Sequence, residues 1–101
     1  MRKLYEYFGL LVLFYSNEHD PVHVHGLFQE QESRAELQVR NGKVVAIRYV
    51  RVKGRRPLGP RRMRDFQKLV ERHKDEIVRK WIEFFVLHKR IAPEVISRRL
   101  P

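Results

Sequence analysis

The stretch Arg34–Val52, RAELQVRNGKVVAIRYVRV, decides the fold class. Two runs rich in aliphatic and β-branched residues flank Asn41-Gly42, a dipeptide that accepts the positive φ angles of a tight hairpin turn, so the stretch predicts two antiparallel strands. Its register follows from which residues would share a face. A strict two-residue loop sets Leu37 opposite Ala46 and Ala35 opposite Arg48, with an arginine beside apolar neighbours. A three-residue loop, Arg40-Asn41-Gly42 followed by a bulge, sets Leu37 opposite Val45 and Ala35 opposite Ile47 and keeps one face apolar; this register is the one expected.

Working outward, residues 5–15, YEYFGLLVLFY, read as one strand too continuously apolar to have a solvent face, with Gly9 marking a bulge or a close backbone approach. SNEHDP has turn composition, since Asn17 and Asp20 can bond their own backbone and Pro21 keeps Asp20 out of the helical region. A second strand is expected from about Val22 to Gln29, and QEQES makes the next turn. Downstream, KGRRPLGP carries two glycines and two prolines and reads as a linker, with Pro60 placed for a first helical turn. Met63, Phe66, Val70, His73, Ile77, Trp81, Phe84 and His88 then recur at steps of three or four, the period of one amphipathic helix of about 28 residues or of two shorter ones divided near Lys74-Asp75, where Asp75 could cap the second. Pro93 opens a short basic helix, EVISRRL.

The expectation is a single α+β domain over 1–101. Its parts are an antiparallel sheet of about four strands in 5–52, a basic linker in 53–60, a helical part in 61–89 packed on one sheet face with Trp81, Phe84 and Phe85 in the core, and a basic extension in 90–101.

The chain has no cysteine, which excludes disulfides, thiolate zinc and a cysteine nucleophile and agrees with a reducing compartment. The longest apolar run, Phe8 to Tyr15, is far short of the roughly 20 residues that span a bilayer. Glu6 interrupts it and no small-residue cleavage site follows, so no membrane association and a cytoplasmic location are expected. Net charge is +10, and from Leu37 to Arg64 there are ten Lys or Arg and no Asp or Glu, so that segment holds the whole excess. A block of this kind attracts polyanions. Nucleic acid or an acidic protein is the expected partner, bound through Lys53, Arg55, Arg56, Arg61, Arg62 and Arg64; a homodimer is also compatible with so small a chain. Arg61, Arg62 and Arg64 crowd a helix N-terminus, where acids are favoured, so local stability is given up at a place suited to an anion. A solvated loop is the plainer reading of the same residues.

Three of the five histidines fall within His19–His25. In a strand His23 and His25 share a face, the spacing by which two imidazoles converge on one metal. His19 could supply a third nitrogen and Glu18 or Asp20 an oxygen, leaving an open position for chemistry. No cofactor is required by the pattern, and a divalent metal is what such donors would take. The same alternation fits a half-exposed edge whose imidazoles bond carboxylates such as Glu18 or Glu30. A metal-free alternative makes His19 or His23 a general acid or base, with Tyr15 and Asn17 orienting it and arginines holding a phosphate, the minimal equipment of a ribonuclease-like phosphodiester hydrolase. His73 and His88 lie on the apolar side of the helical stripe and read as partly buried structural residues. No glycine-rich phosphate loop, nucleophile elbow or HExxH helix is present.

FYSNEHDPVHVH, Phe14 to His25, resembles the signature of the bacterial family known as domain of unknown function 4160: an aromatic run, Tyr-Ser-Asn-Glu-His, a proline and His-Val-His, then a sheet and a helix bearing a tryptophan. LVERHKDEIVRKW, with Leu69, Val70, His73, Glu76, Ile77 and Trp81, resembles that tail. The likeness covers most of residues 4–88 and marks Tyr15, Ser16, Asn17, Glu18, His19, Pro21, His23 and His25 as the family motif without giving them roles. Two features depart from it: Pro21-Val22 stands where members often carry a proline pair, and residues 89–101 exceed the short members. The resemblance implies a small bacterial cytoplasmic protein without an established activity, of a kind associated with toxin–antitoxin-like gene pairs. The histidine-triad nucleotide hydrolases also alternate histidines, but Gly26-Leu27 breaks their pattern here.

Overall fold

Phe8 and Gly9 divide what reads in the sequence as one long apolar strand. In the computed structural model, which describes residues 2–15 and 22–101, both take positive φ, 47° and 87°, and make a two-residue turn that pairs Tyr7 with Leu10. The segment is therefore a hairpin of β1 (Arg2–Tyr7) and β2 (Leu10–Phe14). β3 (His23–Phe28), β4 (Gln31–Arg40) and β5 (Lys43–Arg51) follow, then α1 (Pro60–Phe85) and β6 (Glu94–Ile96). Among the described residues the sheet has six strands, in the order β5-β4-β3-β2-β1-β6. All neighbours are antiparallel except β1 and β6, which are parallel. The α+β class and the helix on one face agree with the sequence expectation, and the sheet is larger than the four strands expected.

Two further differences have local causes. The basic extension contains β6 where a short helix is expected: Glu94, Val95 and Ile96 pair with Tyr5, Glu6 and Tyr7, and the edge of β1 outweighs the weak helical preference of EVISRRL. In the β4–β5 hairpin the expected three-residue-loop register holds at no pair, and the strict two-residue one holds only beside the turn. Asn41 and Gly42 form a two-residue turn with φ 53° and 78°, so Arg40 faces Lys43 and Val39 faces Val44. Beyond it the register shifts, Val45 is left over as a bulge, and Leu37 faces Ile47 while Ala35 faces Tyr49. The bulge achieves what the three-residue loop was meant to achieve, an apolar inner face, and leaves Val45 53% exposed.

The helix keeps that inner face dry. Phe66, Leu69, Val70 and Ile77 of α1 are fully buried against Val12, Phe14, Val24, Ala35 and Leu37 of the sheet. Gly26 lets Phe66 come close: a β-carbon there would lie 2.7–2.9 Å from three atoms of the ring. Trp81 is buried, and Phe84 and Phe85 are partly buried around Phe14, with ring centroids 6.0 and 5.5 Å from it. The helix is continuous from Pro60 to Phe85, with a kink at His73 (φ −108°, ψ 16°) just ahead of Lys74-Asp75. His73 packs against the ring of Tyr5 at 4.8 Å. His88 lies past the helix end, exposed and at φ 55°, so it is not part of the apolar stripe. Among the described residues no helix is long and apolar enough to cross a membrane.

Candidate functional site

The other face of the sheet carries the polar residues. Strand alternation and the register of β3 with β4 place His23, His25 and Leu27 on the side away from α1, opposite Glu36, Arg34 and Glu32 in turn. His23 and His25 do share a face, with ring centroids 5.2 Å apart. Both are buried, at 4% and 3% exposure, so this is no half-exposed edge.

Glu32, itself 4% exposed, is the hub. Its Oε2 accepts from Nδ1 of His25 at 2.9 Å and from the Tyr15 hydroxyl at 3.2 Å, and its Oε1 lies 3.3 Å from Nε of Arg55. The Tyr15 ring meets that of His25 edge-on at 4.5 Å. A carboxylate this buried would cost several kcal/mol if unpaired, so the partners are a condition of its presence. Because a carboxylate only accepts, the Nδ1 position of His25 carries the proton, which in the neutral ring makes Nε2 the lone-pair nitrogen.

The carboxylate that bonds the imidazole is thus Glu32 and not Glu30, which is exposed. In the sequence Glu32 is hidden within the expected QEQES turn. The actual turn is only Gln29-Glu30, since Phe28 pairs with Gln31, and that two-residue length puts Glu32 on the histidine side. Reading that turn length would have found it.

A second ion cluster lies alongside. Glu36 accepts from Nη2 of Arg34 at 2.5 Å and from Nε and Nη2 of Arg48 at 3.2 and 2.7 Å. The Arg48 hydrogen bonds, aided by the charge of Arg34, hold the Glu36 carboxyl below its ordinary range despite partial burial.

The basic segment comes to this site and is not a loose linker. Glu32 N–H donates to the Arg56 carbonyl at 2.8 Å, Leu58 N–H to Ser33 Oγ at 3.1 Å, and Gly59 N–H to Gln31 Oε1 at 3.0 Å. Leu58 is 5% exposed within the core. This attachment to the start of β4 fixes Lys53 and Arg55 near Glu32, and a cleft of about 500 Å³ is lined by Tyr15, His25, Glu32, Arg34, Arg51, Val52 and Lys53.

The six cations singled out in the sequence therefore divide. Lys53 lines the cleft, Arg55 pairs with its carboxylate, and Arg56 contributes backbone. Arg61 and Arg64 lie exposed on the first turns of α1, while the guanidinium of Arg62 sits 4.0 Å from the centroid of Phe28. Gly59 caps α1 without a side-chain bond and no acid occupies the first turn, so the arginines there oppose the helix dipole, at about 0.3–1 kcal/mol each. The Arg62 contact offsets part of that. Arg34 and Arg51 line the cleft and were missed because nothing in their local sequence sets them apart. Tyr49 rests against Phe66 on the helix side, ring centroids 5.8 Å apart, and burial pushes its hydroxyl up to about 12; it is no stacking platform for this cleft.

Ser16, Asn17, Glu18, His19 and Pro21 lie outside the described residues. Among the described residues no group of three or more His, Cys, Asp or Glu is placed to hold a metal ion. The metal expectation built on His19, His23 and His25 with Glu18 thus depends on two residues outside that set.

Residues 9–82 match the family described as Domain of unknown function (DUF4160). The chain belongs to that family. The DUF4160 match runs from the β1–β2 turn to near the end of α1, so it contains every residue that lines the cleft and leaves β1 and β6 outside. No curated protein and no solved structure matches the chain.

Proposed function

We propose that the protein binds nucleic acid, with the sugar–phosphate backbone crossing the cleft on the helix-free face of the sheet. The observation that carries the reading is the meeting of the acid-free basic segment with the histidine strand: Arg34, Arg51 and Lys53 line one cleft with Tyr15 and His25. Arginine and lysine in a recess supply the donors that the oxygens of a phosphodiester accept from, and contacts of this kind position a backbone without reading sequence.

The direct test is retardation of a single-stranded RNA decamer by the full chain across a salt series. Arg51→Ser with Lys53→Ser is expected to weaken binding roughly tenfold or more at low salt and to lower the salt slope by about one per cation removed. Arg61→Ser with Arg64→Ser is expected to do less. No retardation of RNA or DNA by the unaltered chain, or equal losses in the two double variants, would contradict the reading.

A second reading is favoured by one specific observation, the buried His25–Glu32 pair opening on that cleft. A carboxylate holding Nδ1 gives an imidazole the tautomer of a general base, and cations beside it would stabilise charge developing on a phosphate, so a bound phosphodiester could also be hydrolysed. The expected sign is RNA cleavage by the untagged protein, unaffected by a metal chelator and lost in His25→Ala. Persistence of binding without cleavage leaves the first reading standing and removes the second.

A further inference from the structure

On one side the sheet ends in β5, a strand of nine residues paired along its inner edge with β4. Among the described residues no strand pairs with its outer edge. The opposite end of the sheet is β6, only three residues long. A long open edge presents a row of backbone donors and acceptors at the spacing of another strand, and proteins that leave one usually cover or charge it. Here it is charged with one sign. Lys43, Arg48 and Arg51 lie on β5, Arg40 and Lys53 flank it, and the strand has no acid. Arg48 is committed to Glu36, while Lys43 and Arg51 are exposed. Val45, the bulged residue, adds an exposed apolar side chain, and a recess of about 340 Å³ lined by Glu36, Leu37, Gln38, Ala46 and Arg48 lies on the β4–β5 pair.

We propose that the outer edge of β5 receives an extended acidic segment of a partner protein as a further strand of the sheet. Backbone pairing would supply the affinity, and carboxylates alternating with apolar side chains would meet the cations and Val45. Charge complementarity selects this occupant. A second copy of the chain would bring its own Lys43, Arg48 and Arg51 against the same residues in a protein of net charge +10. Nucleic acid carries no row of amide donors and acceptors to match a strand edge. Arg51 and Lys53 also line the cleft, whereas Lys43, Val45 and the outer backbone edge of β5 do not, and the inference rests on these.

The test uses the full chain and three fluorescent peptides of about ten residues, read by anisotropy and by amide hydrogen exchange: one alternating Glu with Val, one alternating Lys with Val, and the Glu–Val peptide with every backbone nitrogen methylated. The Glu–Val peptide is expected to bind and to slow exchange of alternate amides on β5; methylation is expected to weaken it roughly tenfold or more, and the Lys–Val peptide to fail. Equal binding of the methylated peptide, binding of the Lys–Val peptide, or no binding at all would overturn the proposal. Protection of the same amides by a uridine decamer would assign the edge to nucleic acid and overturn it too. A dimer of the chain alone, held through β5, would have the same effect.

Discussion

Val24 and His25 are neighbours on β3, and they belong to two regions governed by different physics. Val24 and Gly26 face α1, where Phe66 fills the space to the van der Waals limit and the helix excludes water. His25 faces the other way and is just as buried, but what surrounds it is Glu32, Tyr15 and the cations around the cleft. One face is organised by shape, the other by charge. Changes of volume should therefore matter most on the first and changes of charge most on the second.

The comparison is tested hardest on the packed face. Phe66→Ala is expected to cost about 3–5 kcal/mol of unfolding free energy in a urea titration, since it empties a fully buried aromatic site. A loss under about 1 kcal/mol would mean that the helix face is loosely packed. Gly26→Ala comes next, at about 1–3 kcal/mol, because the added methyl meets Phe66 ring atoms at 2.7–2.9 Å. The same change made in a Phe66→Leu background should cost less, and strict additivity of the two would show that the contact is not what limits the site.

On the charged face Glu32→Gln is nearly isosteric, so its cost is expected to be smaller, about 1–2 kcal/mol for charge-assisted bonds to His25, Tyr15 and Arg55. Its functional effect runs in opposite directions for the two readings. Removing a negative charge from a cationic cleft should leave RNA binding equal or tighter, whereas cleavage, if His25 is a base, should be lost. Weaker RNA binding in this variant would contradict the placement of phosphate in the cleft.

The smallest effect is a pH-dependent one outside the site. Tyr5 donates to Glu76, tying β1 to α1. That bond is the largest influence holding the Glu76 carboxyl below its ordinary range, with Lys80 and His73 adding to it against partial burial. Burial, and then the same bond, push the Tyr5 phenol up, so it stays protonated and donating. The stabilisation is full above the ordinary carboxyl pKa of the unfolded chain and is lost as pH falls through the lowered folded value. Tyr5→Phe should therefore cost about 1 kcal/mol at neutral pH and progressively less in acid, by thermal melts at each pH. An equal loss at both ends of the range would show that the hydroxyl acts through packing alone.

How far these regions could be read beforehand follows the same division. The helix was legible because Phe66, Val70, Ile77 and Trp81 recur at its period, and the Asn41-Gly42 turn because its chemistry is local. The β1–β2 turn was not legible, because Phe8 holds a positive φ that a bulky residue rarely takes and both faces of β2 are largely buried, which erases the alternation. β6 was missed because three residues carry no periodic signal and its pairing is set by β1. In the site, the sharing of a face by His23 and His25 follows from alternation alone. The partnership of His25 with Glu32, and the approach of Lys53 and Arg55, depend on a turn length and on hydrogen bonds between Arg56, Leu58 and Gly59 and the start of β4, which no spacing in the sequence encodes.

The central claim is that phosphate is held on the helix-free face, where the basic segment meets the histidine strand. Titration of isotope-labelled full-length chain with a single-stranded RNA decamer, followed by backbone amide and imidazole resonances, tests it most directly. Shifts centred on Tyr15, His25, Arg34, Arg51 and Lys53 that fade with added salt are the predicted result. Shifts confined to Arg61, Arg64 and the C-terminal arginines Arg98 and Arg99, with His25 unmoved, would contradict it.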